Sequence, residues 1–283
     1  MSCRKIVLEN VTIDLSGKTP RRLVDSLSLT VDAGRVLAIV GESGAGKSMT
    51  SLAIMGLLPA GIRRTGGEII VNDQPTSRLD AEGWRKLRSG TVAMILQNPM
   101  SAFDPVFTIG SHFHETVVSH EPSCGAGEVR RRAVAALAEV GFSDPRAILN
   151  IYPFQMSGGM LQRVMIALAL IVNPTFLIAD EATTDLDVVS QARILNLLRE
   201  RSRERHLGML MITHDLSVAA YLADEVAVMR KGRLVERASV AEIFANPRDP
   251  YTAELMEAHG KLYSDKFAGL LQSLGAVCGT ETA

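Results

Sequence analysis

The sequence predicts an α/β fold built on a largely parallel sheet, and three features carry that expectation. Short apolar runs bounded by glycine or charge read as strands, and helical patterns lie between them. Strands that alternate with helices are joined by the crossovers of a parallel sheet. The third feature is "VNPTFLIADEATTDLD", residues 172–187, an apolar run that ends abruptly in Asp180, Glu181, Asp185 and Asp187. Carboxylates gathered at the end of a core strand repel one another and lose hydration, so they require a cation and a ligand that carries it.

In chain order, "RKIVLENVTIDL" opens as a strand, "RVLAIV" is the second, and "KSMTSLAIMGLL" follows as a helix. "GEIIVN" and "TVAMIL" are the next strands. From Asn98 to Gln155 the rhythm breaks into turns and helices with no convincing strand, which predicts a helical insertion containing "GEVRRRAVAALAEVGF". "SGGMLQRVMIALALIV" then gives a long helix, and "TFLIAD" a strand apolar throughout, as in a sheet covered on both faces. "DVVSQARILNLLRERSRER" is a helix, and "GMLMIT" and "EVAVMR" are the last strands. After Arg237, "ASVAEIFANPRDPYTAELMEAHGKLY" predicts short helices around a Pro-rich turn.

With 283 residues, 47% of them hydrophobic and 22% charged, the chain has material for a sizeable core. A net charge of -1 disfavours nucleic acid as a partner, since binding by counterion release normally leaves a basic excess. Cys3, Cys124 and Cys278 are far apart and form no CxxC pair, which fits a reducing compartment rather than a disulfide framework or a zinc site. The longest apolar stretch, "VMIALALIV", is about half of the ~20 residues a spanning helix needs, and the N-terminus shows no signal-peptide core. Any membrane work is therefore expected to go through a partner.

"VLAIVGESGAGKSMTSLAIM" sets Gly41-x4-Gly46-Lys47-Ser48 between a strand and a helix, the context that gives a Walker A pattern its meaning. Gly41, Glu42, Ser43, Gly44, Ala45, Gly46, Lys47, Ser48 and Met49 are the expected nucleotide-binding segment. Its backbone N–H groups converge on phosphate oxygens, the helix N-terminus adds its dipole, Lys47 supplies a point charge and Ser48 offers a hydroxyl to Mg²⁺. Asp180 suits the carboxylate that acts on that metal, and Glu181 a general base for the attacking water. The blander alternative is that both acids cap the helix beginning near Val188. In "YPFQMSGGMLQRVMIALAL", Ser157, Gly158 and Gly159 stand at the start of a long helix and make a second anion-binding N-terminus.

Walker A at residues 41–48, Gln97 in "LQNP", "SGGM", Asp180 with Glu181, and His214 in "ITHD" together resemble the ATP-binding cassette (ABC) ATPases over residues 4–236. The resemblance implies a P-loop NTPase core that uses ATP and Mg²⁺. It places an ABC ATPase domain at residues 1–237, a helical subdomain at about 98–160 and a C-terminal extension at 238–283. It also implies a head-to-tail dimer in which Ser157, Gly158 and Gly159 contact the γ-phosphate held by a partner's Walker A loop. Gln97 would sense the metal and a transmembrane partner, His214 would contact the γ-phosphate, and "TDLD", with Asp185 and Asp187, would cross the dimer interface. "NPRDPYTAELM" and "QNPMSAFDPVFTIGSHFHET" resemble the oligopeptide, dipeptide and nickel importer branch, with the overall wording nearest to nickel importers.

The expected function is thus an ATPase motor subunit of an importer, with nickel as cargo and two alternatives. One is a dipeptide or oligopeptide importer, the other a soluble ABC ATPase not linked to transport. The implied partners are a paralogous ATPase subunit or a second copy, two transmembrane permease subunits and, indirectly, an extracytoplasmic solute-binding protein. The implied location is the cytoplasmic face of the inner membrane, held peripherally.

Several positions depart from the family pattern. Leu15 stands where an aromatic commonly stacks on adenine, Ala182 replaces the Pro usual after Walker B, and Met156 and Met160 replace the signature's usual first Leu and last Gln. Phe103, Phe107 and Phe113 are either core of the insertion or lining of a groove for a membrane subunit. His112, His114 and His120, near Cys124, invite a metal-ligand reading, but His112 and His114 are two apart and would not share a helical face, so solvated or subunit-contacting roles are expected.

Overall fold

A computed structural model describes residues 4–17 and 20–258. Cys3, Cys278 and the part of the C-terminal extension beyond residue 258 lie outside the described residues. In chain order the elements are β1 (Lys5–Leu15), β2 (Arg21–Asp32), β3 (Val36–Val40), α1 (Lys47–Ile54), β4 (Ile62–Val71), β5 (Gln74–Pro75), α2 (Ala81–Lys86) and β6 (Val92–Ile95). There follow α3 (Ile109–His120), α4 (Ala126–Glu139), α5 (Pro145–Ile148), α6 (Gly158–Ile171), β7 (Phe176–Asp180) and α7 (Val188–Arg205). The last are β8 (Gly208–Ile212), α8 (Leu216–Leu222), β9 (Glu225–Arg230), β10 (Arg233–Ser239) and α9 (Val240–Ala245).

The larger sheet has the order β10-β9-β3-β8-β7-β6, with β9, β3, β8, β7 and β6 parallel and β10 antiparallel at one edge. This is the expected parallel sheet. A second, antiparallel sheet of order β2-β1-β4-β5 lies beyond that expectation. Its strand β2, "RRLVDSLSLTVD", has no continuous apolar run, and only Val24, Leu27, Leu29 and Val31 are buried, with the alternation broken between the first two. β4 likewise starts five residues before "GEIIVN", at Ile62, through "IRRTG", which carries no hydrophobic signal.

β7 explains why its sequence is apolar throughout. Phe176 and Ile178 point into the core shared with the antiparallel sheet, while Leu177 and Ala179 point into the core under the helices. All five residues of β7 are buried. With both faces apolar, side-chain alternation cannot set the register, and the polar Asp180 marks the strand's end.

Between Asn98 and Gln155 the described structure contains no strand, as expected. Ile109, Phe113 and Val117 on α3, and Val129, Ala133 and Leu137 on α4, repeat every four residues and bury one stripe of each helix in the core with α6. Phe103 and Phe113 are core residues, whereas Phe107 is 51% exposed. His112 packs edge-on against Phe103 and Phe107, and His120 lies against Gly90, so the two serve separate contacts. Among the described residues no helix is long and apolar enough to cross a membrane.

Candidate functional site

In an open parallel sheet ligands bind beyond the carboxyl ends of the strands, where loops converge and helices present their N-termini. Here β3, β8, β7 and β6 are consecutive neighbours, and each delivers one expected residue just past its end. Lys47 follows β3 through the glycine loop, His214 follows β8, Glu181 follows β7 and Gln97 follows β6. These four side chains line one cavity of about 370 Å³, with Ser43, Gly44, Gly46, Ser48 and Met49 of the loop and with Arg21 and Leu23 of β2.

The loop is built by close approach of backbones. Gly41 has φ +146° and lies so near β9 that a Cβ there would sit 2.1 Å from the Met229 carbonyl oxygen. Gly232 N–H donates to Ala45 O at 3.0 Å, tying the loop to the β9–β10 turn. Lys47, only 7% exposed, donates from Nζ to Gly41 O and Glu42 O, both at 2.8 Å. Burial pushes its ammonium pKa down, against the opposing pull of Glu181, Asp180 and Glu42. It is a charge held on backbone oxygens and poised for a stronger acceptor.

Asp180 is buried at the end of β7, where Ser51 Oγ donates to its Oδ2 at 3.4 Å and its Oδ1 has no hydrogen-bond partner. Burial raises its pKa, with the Ser48 and Ser51 hydroxyls opposing and the Glu181 charge adding to the rise. An orphaned, desolvated carboxylate oxygen beside the Ser48 hydroxyl fits a divalent cation, because positive charge would relieve both burdens.

Glu181 has φ +50°, an uncommon conformation for a non-glycine residue that costs on the order of 1–3 kcal/mol and clusters at functional sites. Gln97 Nε2 donates to its Oε2 at 2.9 Å, and His214 Nδ1 lies 3.3 Å from its Oε1. Both carboxylate oxygens are thus engaged. The helix-cap alternative does not hold for Asp180 and Glu181: α7 is capped by Asp187, whose Oδ1 accepts from Val189 N at 3.1 Å and Ser190 N at 2.9 Å. Likewise Asp215, not His214, caps α8.

Ser157 caps α6, accepting from Met160 N at 3.3 Å. Ser157, Gly158 and Gly159 are outside the cavity lining. Gly159 packs against the Asp185 carbonyl, which a Cβ would approach to 2.9 Å, so this helix start and the "TDLD" turn are one packed unit. Behind it Gln162, 1% exposed, donates from Nε2 to Ala182 O at 2.7 Å and ties α6 to the turn after Glu181. That bond holds the turn in which Ala stands for the usual Pro. Leu15, 37% exposed, lines a separate cleft with Gly17, Pro20 and Arg21, and Arg21 borders both spaces. Arg21, Leu23 and Gln162 carry no motif; β2 brings the first two to the site, where Leu23 O packs close to Gly46 and Gly232 and Asp25 N donates to Gly232 O at 2.8 Å.

Comparison with known proteins gives consistent likenesses. A family model described as ABC transporter matches residues 24–184. The nickel import ATP-binding protein NikD of Rhodospirillum rubrum is 46% identical over 258 residues, covering 90% of this chain and 95% of that protein. The oligopeptide transport ATP-binding protein OppD of Lactococcus lactis subsp. cremoris is 40% identical over 250 residues, covering 88% of this chain and 73% of that protein. Among solved structures, a dimeric ATP-binding cassette in a post-hydrolysis state bound to ADP and Pi superposes with a TM-score of 0.76 at 26% identity, covering 83% of this chain and 98% of that one.

Proposed function

The chain belongs to the ABC transporter family, and we propose that it is the ATP-hydrolysing subunit of a nickel importer, coupling ATP binding and hydrolysis to uptake through separate membrane subunits. The observation that carries this reading is the meeting of Lys47, Gln97, Glu181 and His214 on one cavity, in a chain 46% identical to a nickel import ATP-binding protein over 90% of its length. The 40% identity to OppD supports an oligopeptide importer as the second reading.

In this reading residues 1–237 form the ATPase domain, with its helical part at about 98–160, and residues 238–283 the extension. The loop from Gly41 to Met49 cradles the ATP phosphates with its N–H groups, and Lys47 exchanges its bonds to Gly41 O and Glu42 O for the β- and γ-phosphates. Ser48, Asp180 and Gln97 would hold Mg²⁺, which when bound neutralises charge on the phosphate oxygens. Glu181 takes the proton of the attacking water once Gln97 or His214 releases one of its oxygens, and His214 turns to the γ-phosphate. Ser157, Gly158 and Gly159 serve the cavity of a second cassette, a paralogous subunit or another copy. The exposed Met100, Val106, Phe107 and Phe154 fit contact with a permease subunit at the cytoplasmic face of the membrane.

Asp180 gives this reading a stability test. Its raised pKa means that the folded chain disfavours the charged form, so stability is lost as pH rises from the unfolded pKa to the folded one. Asp180→Asn removes that cost. Without ligand at neutral pH the variant is expected to melt at a higher temperature than the unmodified chain, the gap closing as pH falls through the acid range. Its ATPase rate should fall on the order of a hundredfold. A lower melting temperature at neutral pH would count against a net cost of the buried charge, and an unchanged ATPase rate against the metal-carboxylate role.

Cargo is tested in a strain lacking the gene. Nickel uptake should fall and return when the chain is resupplied, and affinity capture of the chain from membranes should bring down permease subunits. Normal nickel uptake with lost growth on peptides would move the cargo to oligopeptides. Absence of any membrane subunit would favour a soluble ATPase.

A further inference from the structure

The C-terminal segment reaches back to the phosphate loop. Residues 250–258 are helical, and Tyr251, on the first turn, is 4% exposed. Its hydroxyl oxygen accepts the backbone N–H of Glu42 at 3.1 Å. Arg230, at the end of β9, stacks its guanidinium over the Tyr251 ring at 4.5 Å. The helix start is fixed in turn by Glu236 on β10, 8% exposed, whose carboxylate accepts Arg248 N at 2.9 Å and Asp249 N at 3.0 Å. Tyr251 therefore has little freedom to leave the loop.

The Glu42 N–H and the Gly41 C=O are the two ends of one peptide plane. Tyr251 Oη grips the N–H end, and Lys47 Nζ donates to the C=O end at 2.8 Å. We propose that Tyr251 is a positioning residue of the nucleotide site: it holds the Gly41–Glu42 peptide so that Gly41 O faces Lys47 and the rest of the loop keeps its N–H groups turned to the cavity. The proposal rests on reading the cavity as an ATP site. When Lys47 moves to phosphate, the C=O grip is released and Tyr251 alone keeps the plane from turning over. Without its hydroxyl, the part-buried Glu42 N–H would lose its protein acceptor, and the peptide would be free to rotate toward another.

Tyr251→Phe removes the hydroxyl and keeps the ring, so the contact with Arg230 and the burial stay. In the full chain the Kd for ATP, by titration calorimetry, should rise about three- to tenfold. Amide hydrogen exchange at Glu42 should quicken in the ligand-free protein. Glu42→Pro removes the N–H itself, so adding Tyr251→Phe on that background should change ATP affinity less than twofold. A Kd for Tyr251→Phe within twofold of the unmodified chain, even with a lowered melting temperature, would reduce Tyr251 to a packing role and overturn the proposal. If the unmodified chain bound no ATP, the nucleotide reading would fail instead, and unchanged exchange at Glu42 in Tyr251→Phe would overturn the positioning role by itself.

Discussion

Glu181→Gln is expected to bind ATP with an affinity close to that of the unmodified chain and to hydrolyse it about a hundred to ten thousand times more slowly. The amide has the same shape as the carboxylate and is equally tolerant of the φ of +50° at this position, so the turn between β7 and α7 should persist. One amide oxygen still accepts from Gln97 Nε2. Lys47 and the loop N–H groups, which carry the phosphate affinity in our reading, are untouched. What is lost is an oxygen basic enough to take a proton from water. Steady-state phosphate release and an ATP titration on the same preparation separate the two effects. Hydrolysis within a fewfold of the unmodified rate would remove Glu181 from the role of base, and the engaged carboxylate seen with Gln97 and His214 would then need a purely structural account.

How far the site was legible in the sequence depends on the kind of signal each residue leaves. Lys47, Asp180 and Glu181 sit in local patterns, a glycine loop or a charge step at the end of an apolar run, and such patterns survive without knowledge of the fold. Gln97 and His214 have no such mark and gain meaning only from their order along the chain. That all four reach one cavity depends on the strand order β3-β8-β7-β6, which no local window contains. Arg21 and Leu23 reach it from an antiparallel strand whose alternation is too weak to announce itself. Gln162 lies inside a quoted helix, yet a glutamine on a helix ordinarily reads as a solvated face. Its burial at 1% becomes visible only once the Ala182 carbonyl is placed opposite. Tyr251 is separated from Glu42 by 209 positions, and a tyrosine in a Pro-rich tail carries no sign of that contact.

Gly41→Ala should be the most damaging single-methyl change in the loop. Two costs add at this position. The φ of +146° is one that side-chain-bearing residues rarely adopt, and the new Cβ would lie 2.1 Å from Met229 O, a backbone atom of β9 paired with Leu234 of β10 that cannot easily swing aside. Strain of about 1–3 kcal/mol and overpacking of a similar size predict a loss of about 3 kcal/mol or more. Gly44→Ala separates the two costs, since Gly44 also has positive φ, +78°, but a Cβ there meets nothing within 4 Å. It should lose only the conformational part, about 1–2 kcal/mol. Chemical denaturation of both variants without nucleotide reads the difference. ATP binding should vanish in Gly41→Ala, because any relief of the clash moves the Gly41–Glu42 peptide and with it the acceptor that poises Lys47. Equal stability losses in the two variants would mean that the close approach to Met229 decides nothing, and that the first glycine of the loop is there for its backbone angles alone.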